Sequence, residues 1–162
     1  MIPDQLKNHT VAAALEAQLP DAITDGHAEH NEPTLFIAPS KIVEVCQFLK
    51  LEQGFVRLSA VTAVDWHPAD PRFEVVYLLH SIEKNARLRL KCWVSEQNAE
   101  IDSVTGVWRS ANWYEREVFD LFGIRFRNHP NLTRILMPID WEGHPLRKDY
   151  PKHGYKYSYA EE

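Results

Sequence analysis

Between Arg87 and Val94 the chain reads RLRLKCWV, and its apolar and polar residues alternate without a break. A period of two is the repeat of a β-strand, whose successive side chains point to opposite faces. Leu88, Leu90, Cys92 and Val94 therefore point one way, and Arg87, Arg89, Lys91 and Trp93 the other. A strand so patterned has one face in a core, while the other is wet or covered by a partner. Two further runs extend the sheet: FVRLSAVTAV (55–64), rich in β-branched residues, and FEVVYLLH (73–80). They are joined by the turn DWHPADPR, and Glu83 to Asn85 turn the chain again before Arg87. Short turns between adjacent strands imply antiparallel pairing.

Helical periodicity frames these strands. Residues 4–19 read as a helix of modest amphipathicity ended by Pro20, residues 21–33 as polar and turn-like, and TLFIA (34–38) as a short strand. Pro39 and Ser40 open a clearer helix in which Ile42, Val45, Cys46 and Leu49 fall on one stripe, and Gly54 stops it. In SANWYEREVFDLFG (110–123), Asn112 is placed to cap a third helix, with Glu115 reaching back to it. Tyr114, Val118, Leu121 and Phe122 form its core stripe, and Gly123 suits its C-terminal cap. Arg116, Glu117 and Asp120 share the opposite face, with Trp113 among them, which marks a contact surface rather than a water-facing one. Glu115 borders the apolar stripe and needs a hydrogen-bond donor if the helix packs. The element order predicts an α/β (α+β) fold: a two-layer sandwich of a mixed, mainly antiparallel sheet with helices.

After Gly123 the periodicity dissolves. Pro130, Pro138, Pro145 and Pro151 are spaced too closely for long helices. The expectation is an α/β body over 1–123 and an extended C-terminal arm over 124–162. Charge divides at the same place. Residues 1–122 hold 11 Lys and Arg against 18 Asp and Glu, a net of −7, whereas residues 123–162 hold 7 against 5, a net of +2. The arm mixes basic groups (Arg125, Arg127, Arg134, Arg147, Lys148, Lys152, Lys156) with Phe126, Trp141, Tyr150, Tyr155, Tyr157 and Tyr159. Such a mixture could stack on nucleic-acid bases, but the acidic body would repel phosphates, so a protein partner is favoured.

Several chemistries lack their signatures. No apolar run approaches the roughly 20 residues that span a bilayer, and the N-terminus lacks the basic-then-apolar pattern of a secretory leader. Cys46 and Cys92 are the only cysteines, each in an apolar pattern that suits buried thiols in a reducing cytoplasm. They cannot by themselves hold an iron–sulfur cluster, which takes about four ligands. His27-Ala-Glu-His30 reads as a solvated loop, because metal sites take about three or four ligands. Asp65-Trp66-His67-Pro68 reads as a polar turn cap, since no nucleophile accompanies it. Nucleotide and nucleophile-elbow motifs are missing as well. Catalytic, cofactor-binding and metal-binding residues are therefore not expected in this chain.

WYEREVFDLFGIRFRNHPNLTRIL (113–136) followed by MPIDWEGHPLRKDYP (137–151) resembles one family, the 30-kDa (C-type) subunit of proton-translocating NADH:quinone oxidoreductase, respiratory complex I. The likeness runs more weakly upstream through AVTAVDW and SANW, with residues 1–35 least diagnostic. Thr133 departs from the basic residue the family commonly has there. The resemblance implies a subunit without a redox centre, packed in the peripheral arm against the D-type subunit, which helps form the quinone site. FMN and iron–sulfur clusters would lie elsewhere in the complex, which passes electrons from NADH to quinone. It also implies peripheral attachment to the cell inner membrane on the cytoplasmic side. Glu115, Arg116, Glu117, Asp120 and Gly123 would then fix the root of the arm. His129, Pro130, Arg134, Trp141, His144, Pro145, Arg147, Lys148, Asp149 and Tyr150 would meet the partner. The alternative within the family is the matching subunit of a related membrane-bound hydrogenase or photosynthetic dehydrogenase complex, and the alternative from another class is a small RNA-binding module.

Overall fold

A computed structural model of the chain describes Leu6, residues 9–29 and residues 32–154. His30, the start of the first predicted helix, and Tyr155, Lys156, Tyr157 and Tyr159 lie outside the described residues. Helix α1 (Thr10–Gln18) leads to strands β1 (Ile23–Glu29) and β2 (Glu32–Ile37). A 3-10 turn over Pro39–Lys41 opens α2 (Ile42–Leu51), followed by β3 (Arg57–Asp65), β4 (Phe73–Ser81), β5 (Ala86–Val94) and β6 (Glu100–Asp102). Helix α3 (Ala111–Phe122) and strand β7 (Arg125–Arg127) complete the elements.

The main sheet has the order β1-β2-β5-β4-β3. All its pairs are antiparallel except β2 with β5, so the sheet is mixed and mainly antiparallel as the patterning predicts. The alternation in β5 holds: Leu88, Leu90, Cys92 and Val94 are buried, and Arg89, Lys91 and Trp93 are only partly covered. The inward residues meet Val11, Ala12 and Leu15 of α1, Val45, Cys46 and Leu49 of α2, and Val118 and Phe122 of α3 in one core. This is a two-layer sandwich with its core on one side of the sheet.

Three expectations change. Residues 23–29 form a strand rather than a polar turn, and His27 lies in it. Only Ile23 and Gly26 of that strand are buried, so an edge strand with two inward positions carries almost no hydrophobic signal, and backbone pairing to β2 defines it. Helix α1 starts at Thr10 behind an extended His9, so the helix read over 4–19 does not run unbroken. Helix α3 takes Ser110 as its N-cap, without a side-chain bond, so the predicted box of Asn112 and Glu115 does not form. The Glu115 carboxylate instead accepts the Ser103 hydroxyl and the Val104 N–H. Gly123 does cap α3, at φ 76°, a left-handed conformation that costs other residues about 1–2 kcal/mol.

The core runs on beyond Gly123. Ile124 and Phe126 are buried, and β7 pairs in parallel with β6. Arg127 clasps Asp102 with two bonds of 3.0 and 3.1 Å across that small sheet. Gly26 shows how tightly the other side is packed. A Cβ there would lie 2.5 Å from Leu6 Cδ1 and 2.8 Å from the Thr34 carbonyl oxygen. Because the second neighbour is backbone, Gly26→Ala is expected to destabilise by about 1–3 kcal/mol, read as a lower midpoint in chemical denaturation.

Candidate interface: the docked C-terminal arm

Asp120 sits near the end of α3, on the face predicted for contact, and it is fully buried. The arm covers it. One carboxylate oxygen accepts the backbone N–H groups of Ile135, Leu136 and Met137 at 3.0, 2.8 and 2.8 Å. The other accepts Arg134 Nη1 at 2.7 Å. Burial alone would raise this carboxyl, but the three amides and the guanidinium outweigh it and hold Asp120 below the usual carboxylate range. Arg134 also bonds the Gly143 carbonyl at 3.0 Å, tying two stretches of the arm together. Arg116 donates to the carbonyls of Thr133 and Arg134 and lies 5.2 Å from the Trp113 ring centre.

The end of α3 is equally occupied. His144 Nδ1 bonds the Asp120 carbonyl at 2.9 Å, Leu146 N–H the Leu121 carbonyl at 3.0 Å, and Arg147 Nε the Phe122 carbonyl at 2.6 Å. These are carbonyls a helix terminus leaves without intrahelical partners. Gly123 makes the approach possible, since a Cβ there would lie 2.6 Å from both Arg147 Nη2 and the His144 ring. Burial lowers the His144 pKa, with Arg147 and Arg134 adding to the effect.

A second anchor lies at the far end of β3 and β4. Arg72 is 1% exposed and forms a two-bond pair with Asp65, at 2.9 and 2.8 Å. Its remaining donors reach Glu96 and, from the arm, Asp149 at 2.6 and 3.1 Å. Asp65 also accepts the N–H of His67 and that of Lys148. Burial opposes ionisation of Asp65, but these bonds prevail and hold it well below the usual range; the Arg72 bond does the same for Asp149. Arg147 and Arg72 both lie over the Phe73 ring, at 5.2 and 5.0 Å, and Lys148 lies over Trp66.

The remaining predicted residues fall around these anchors. Glu115 is fully buried and accepts the Ser103 hydroxyl at 2.6 Å and the Val104 N–H at 2.7 Å. Burial pushes its pKa up to about 7 despite those two bonds. His129 stands 4.0 Å from it, accepting the Asn131 N–H at Nδ1 and so donating from Nε2 to the Asn112 carbonyl. Burial lowers the His129 pKa. The Tyr150 hydroxyl bonds the Glu142 carbonyl at 3.2 Å, and Trp141 and Pro145 are half-buried. Glu117 and Pro130 fall outside the buried set. Sequence reasoning missed Arg72, Glu96 and Ser103. An acid at the last position of β3 and an arginine just before β4 face each other across one turn, and that was the available signal.

Among the described residues no three His, Cys, Asp or Glu side chains group as metal ligands, and no helix is long and apolar enough to cross a membrane. What the arrangement offers is a binding surface made of a clamped arm.

Residues 35–156 match the family described as the respiratory-chain NADH dehydrogenase 30-kDa subunit. The chain is similar to the C-type subunit of the NADH-quinone oxidoreductase of Geotalea uraniireducens, 46% identical over 151 residues, covering 93% of this chain and 92% of that protein. The same subunit of Geobacter sulfurreducens is 47% identical over 149 residues, covering 91% and 92%. A trypsin-resistant fragment of Nqo5 superposes with a TM-score of 0.66 at 29% identity, covering 75% of this chain and 98% of the fragment. A chain of the archaeal membrane-bound sulfane sulfur reductase superposes with 0.75 at 25% identity, covering 88% and 84%. The chain belongs to the 30-kDa subunit family of respiratory NADH:quinone oxidoreductase. It is a subunit of that enzyme complex, and the complex's other subunits are its partners.

The two anchors differ in what their loss should do. Arg72→Ala strands the buried Asp65 charge and is expected to cost about 3–5 kcal/mol. Asp149 is partly solvated and its loss screened, so Asp149→Ala should cost less than about 1 kcal/mol while raising amide exchange in residues 147–154. Denaturation midpoints and hydrogen exchange measure both. For Glu115, a raised folded pKa means that folding favours the neutral form. That contribution is complete below the ordinary carboxylate pKa and is lost as pH climbs through about 7. His129 and His144, both lowered, carry the opposite sign, so the comparison must be with Glu115→Gln. Relative to that variant, the native chain should lose on the order of 3 kcal/mol between about pH 4 and pH 8, read from unfolding midpoints across that range.

Proposed function

We propose that this chain is a non-redox structural subunit whose clamped arm packs against the D-type subunit of the complex, near the quinone site. It supports electron transfer from NADH to quinone without touching the electrons. FMN and the iron–sulfur clusters belong to other subunits, and the chain sits at the cytoplasmic side of the cell inner membrane only through the complex. The signature residues from Glu115 to Tyr150 act here by positioning: Asp120, Arg134, His144, Arg147 and Asp149 fix the arm, and Trp141 and Tyr150 shape its far end.

The observation that carries this reading is the outward side of the arm. Arg134, His144 and Arg147 are directed inward onto α3, while Leu136, Ile139 and Leu146 are 60%, 96% and 51% exposed. Apolar side chains held in place on a fixed scaffold are what a partner's pockets take as anchors. The two thiols support the non-redox part. Cys46 and Cys92 are fully buried and burial raises both pKa values, which disfavours the thiolate that metal binding and redox exchange require.

The test is Leu136→Asp combined with Ile139→Asp in the full chain. Surface changes of this kind should shift stability by no more than about 0.5 kcal/mol each. Capture of the D-type partner should fall by about 30-fold or more, the loss of an anchor worth roughly 2 kcal/mol. Undiminished capture would mean that this partner meets another surface.

A further inference from the structure

The outer face of the main sheet lies outside the core cluster, and its residues are ordered in rows across the strands. Near the arm's anchor, Trp93, Glu74 and Val64 are cross-strand neighbours, and Phe36, Lys91, Val76 and Thr62 form the next row. These rows satisfy themselves. Lys91 pairs with Glu74 at 2.7 Å and lies over Phe36, whose ring stacks with Trp93.

The opposite end of the strands is different. Arg57, His80 and Arg87 stand directly opposite one another on β3, β4 and β5, and Arg89 faces Leu78 one row in. Three arginines are thereby gathered at one end of the sheet, and like charges held near one another repel. Glu32 answers from one side, 3.1 Å from Arg87 and 3.7 Å from Arg89. On the other side of His80, the Arg57 guanidinium makes no ion pair or hydrogen bond among the described residues. These six side chains line an open groove of about 430 Å³. Its three arginines against one glutamate sum to +2, on a stretch of chain whose net charge is −7. Strand β3 is a sheet edge, so the groove is reachable from the Arg57 side without displacing an element.

We propose that this groove is a second docking site, which takes an acidic segment of a neighbouring subunit. Asp or Glu carboxylates of that segment bridge Arg57 to Arg87 and Arg89, relieving the repulsion along the row. Arginine suits the task because its planar fork matches a carboxylate. A peptide is favoured over a free phosphate or a lipid headgroup because Leu78 lines the groove beside the arginines, apolar surface that an isolated anion leaves untouched. The inference rests on the reading of this chain as a complex subunit. Strand β3 separates the groove from the Asp65 anchor by roughly 26 Å at about 3.3 Å per residue, so the sheet holds partners at both ends.

In the assembled complex, Arg57→Lys supplies a primary amine that carbodiimide couples to a carboxylate in direct contact. The expected product joins position 57 to an Asp- or Glu-bearing peptide of another subunit, identified by mass spectrometry. Coupling only to Glu32, or none in an intact complex, overturns the groove and leaves the subunit reading standing. Failure of the chain to co-purify with any other subunit removes that reading and the groove with it. In a second arm, Arg57→Glu should leave the isolated chain's thermal midpoint unchanged or raised, while its retention in the complex falls at least tenfold. A lowered midpoint with full retention makes the row part of the fold and overturns the proposal. So does sedimentation of the isolated chain with phosphatidylglycerol vesicles in the absence of any coupling within the complex.

Discussion

A single carboxylate oxygen of Asp120 accepts three consecutive backbone N–H groups, and the course of the arm follows from that arrangement. Residues 128–154 contain no helix or strand, so their backbone groups must find partners outside a regular ladder. Helix α3 supplies them twice over, with the Asp120 side chain and with the carbonyls that its C-terminus leaves open. Arg134, His144 and Arg147 then close the gaps from the arm's side. The arm is therefore held by directional polar bonds rather than by apolar burial. Leu136, Ile139 and Leu146 remain free to face outward, and the same division of labour suits a platform for a partner.

Five residues apart on α3, Glu115 and Asp120 show how donor count decides a carboxyl's state. Both are fully buried. Asp120 has a guanidinium and three amides, which hold it below the usual carboxylate range. Glu115 has one amide and one hydroxyl, and its pKa rises to about 7. The difference lies in the arm, which brings charge and N–H groups to one face of the helix and only the neutral imidazole of His129 to the other. At the second anchor, the Asp65–Arg72 pair is complete within the body, and Asp149 joins a guanidinium already neutralised.

The sheet's central strands, α2 and the stop at Gly123 were legible because each rests on local rules: alternation, a helical stripe, and a φ that glycine tolerates. Strand β1 was not, because its identity lies in its pairing with β2 rather than in its own two inward residues. Strands β6 and β7 escaped for the same reason, being three residues each and joined across an intervening helix. Of the interface, the motif from Glu115 to Tyr150 stood out through its resemblance to a family, but the roles did not. Asp120 looked like one more charge on a contact face, and nothing near Arg72 in sequence announces that Asp149 will reach it from 77 residues away.

That separation sets an order of events. Asp65 and Arg72 are seven residues apart and close a short loop, whereas Lys148 and Asp149 return to them from 83 and 77 residues downstream. The short loop costs little entropy and can form with the β3–β4 turn itself, so the socket exists before the plug arrives. Docking the arm closes a far longer loop and costs more entropy, which favours its arrival after the turn. A newly made subunit thus presents a finished body with a free end that can be threaded around a neighbour before it closes.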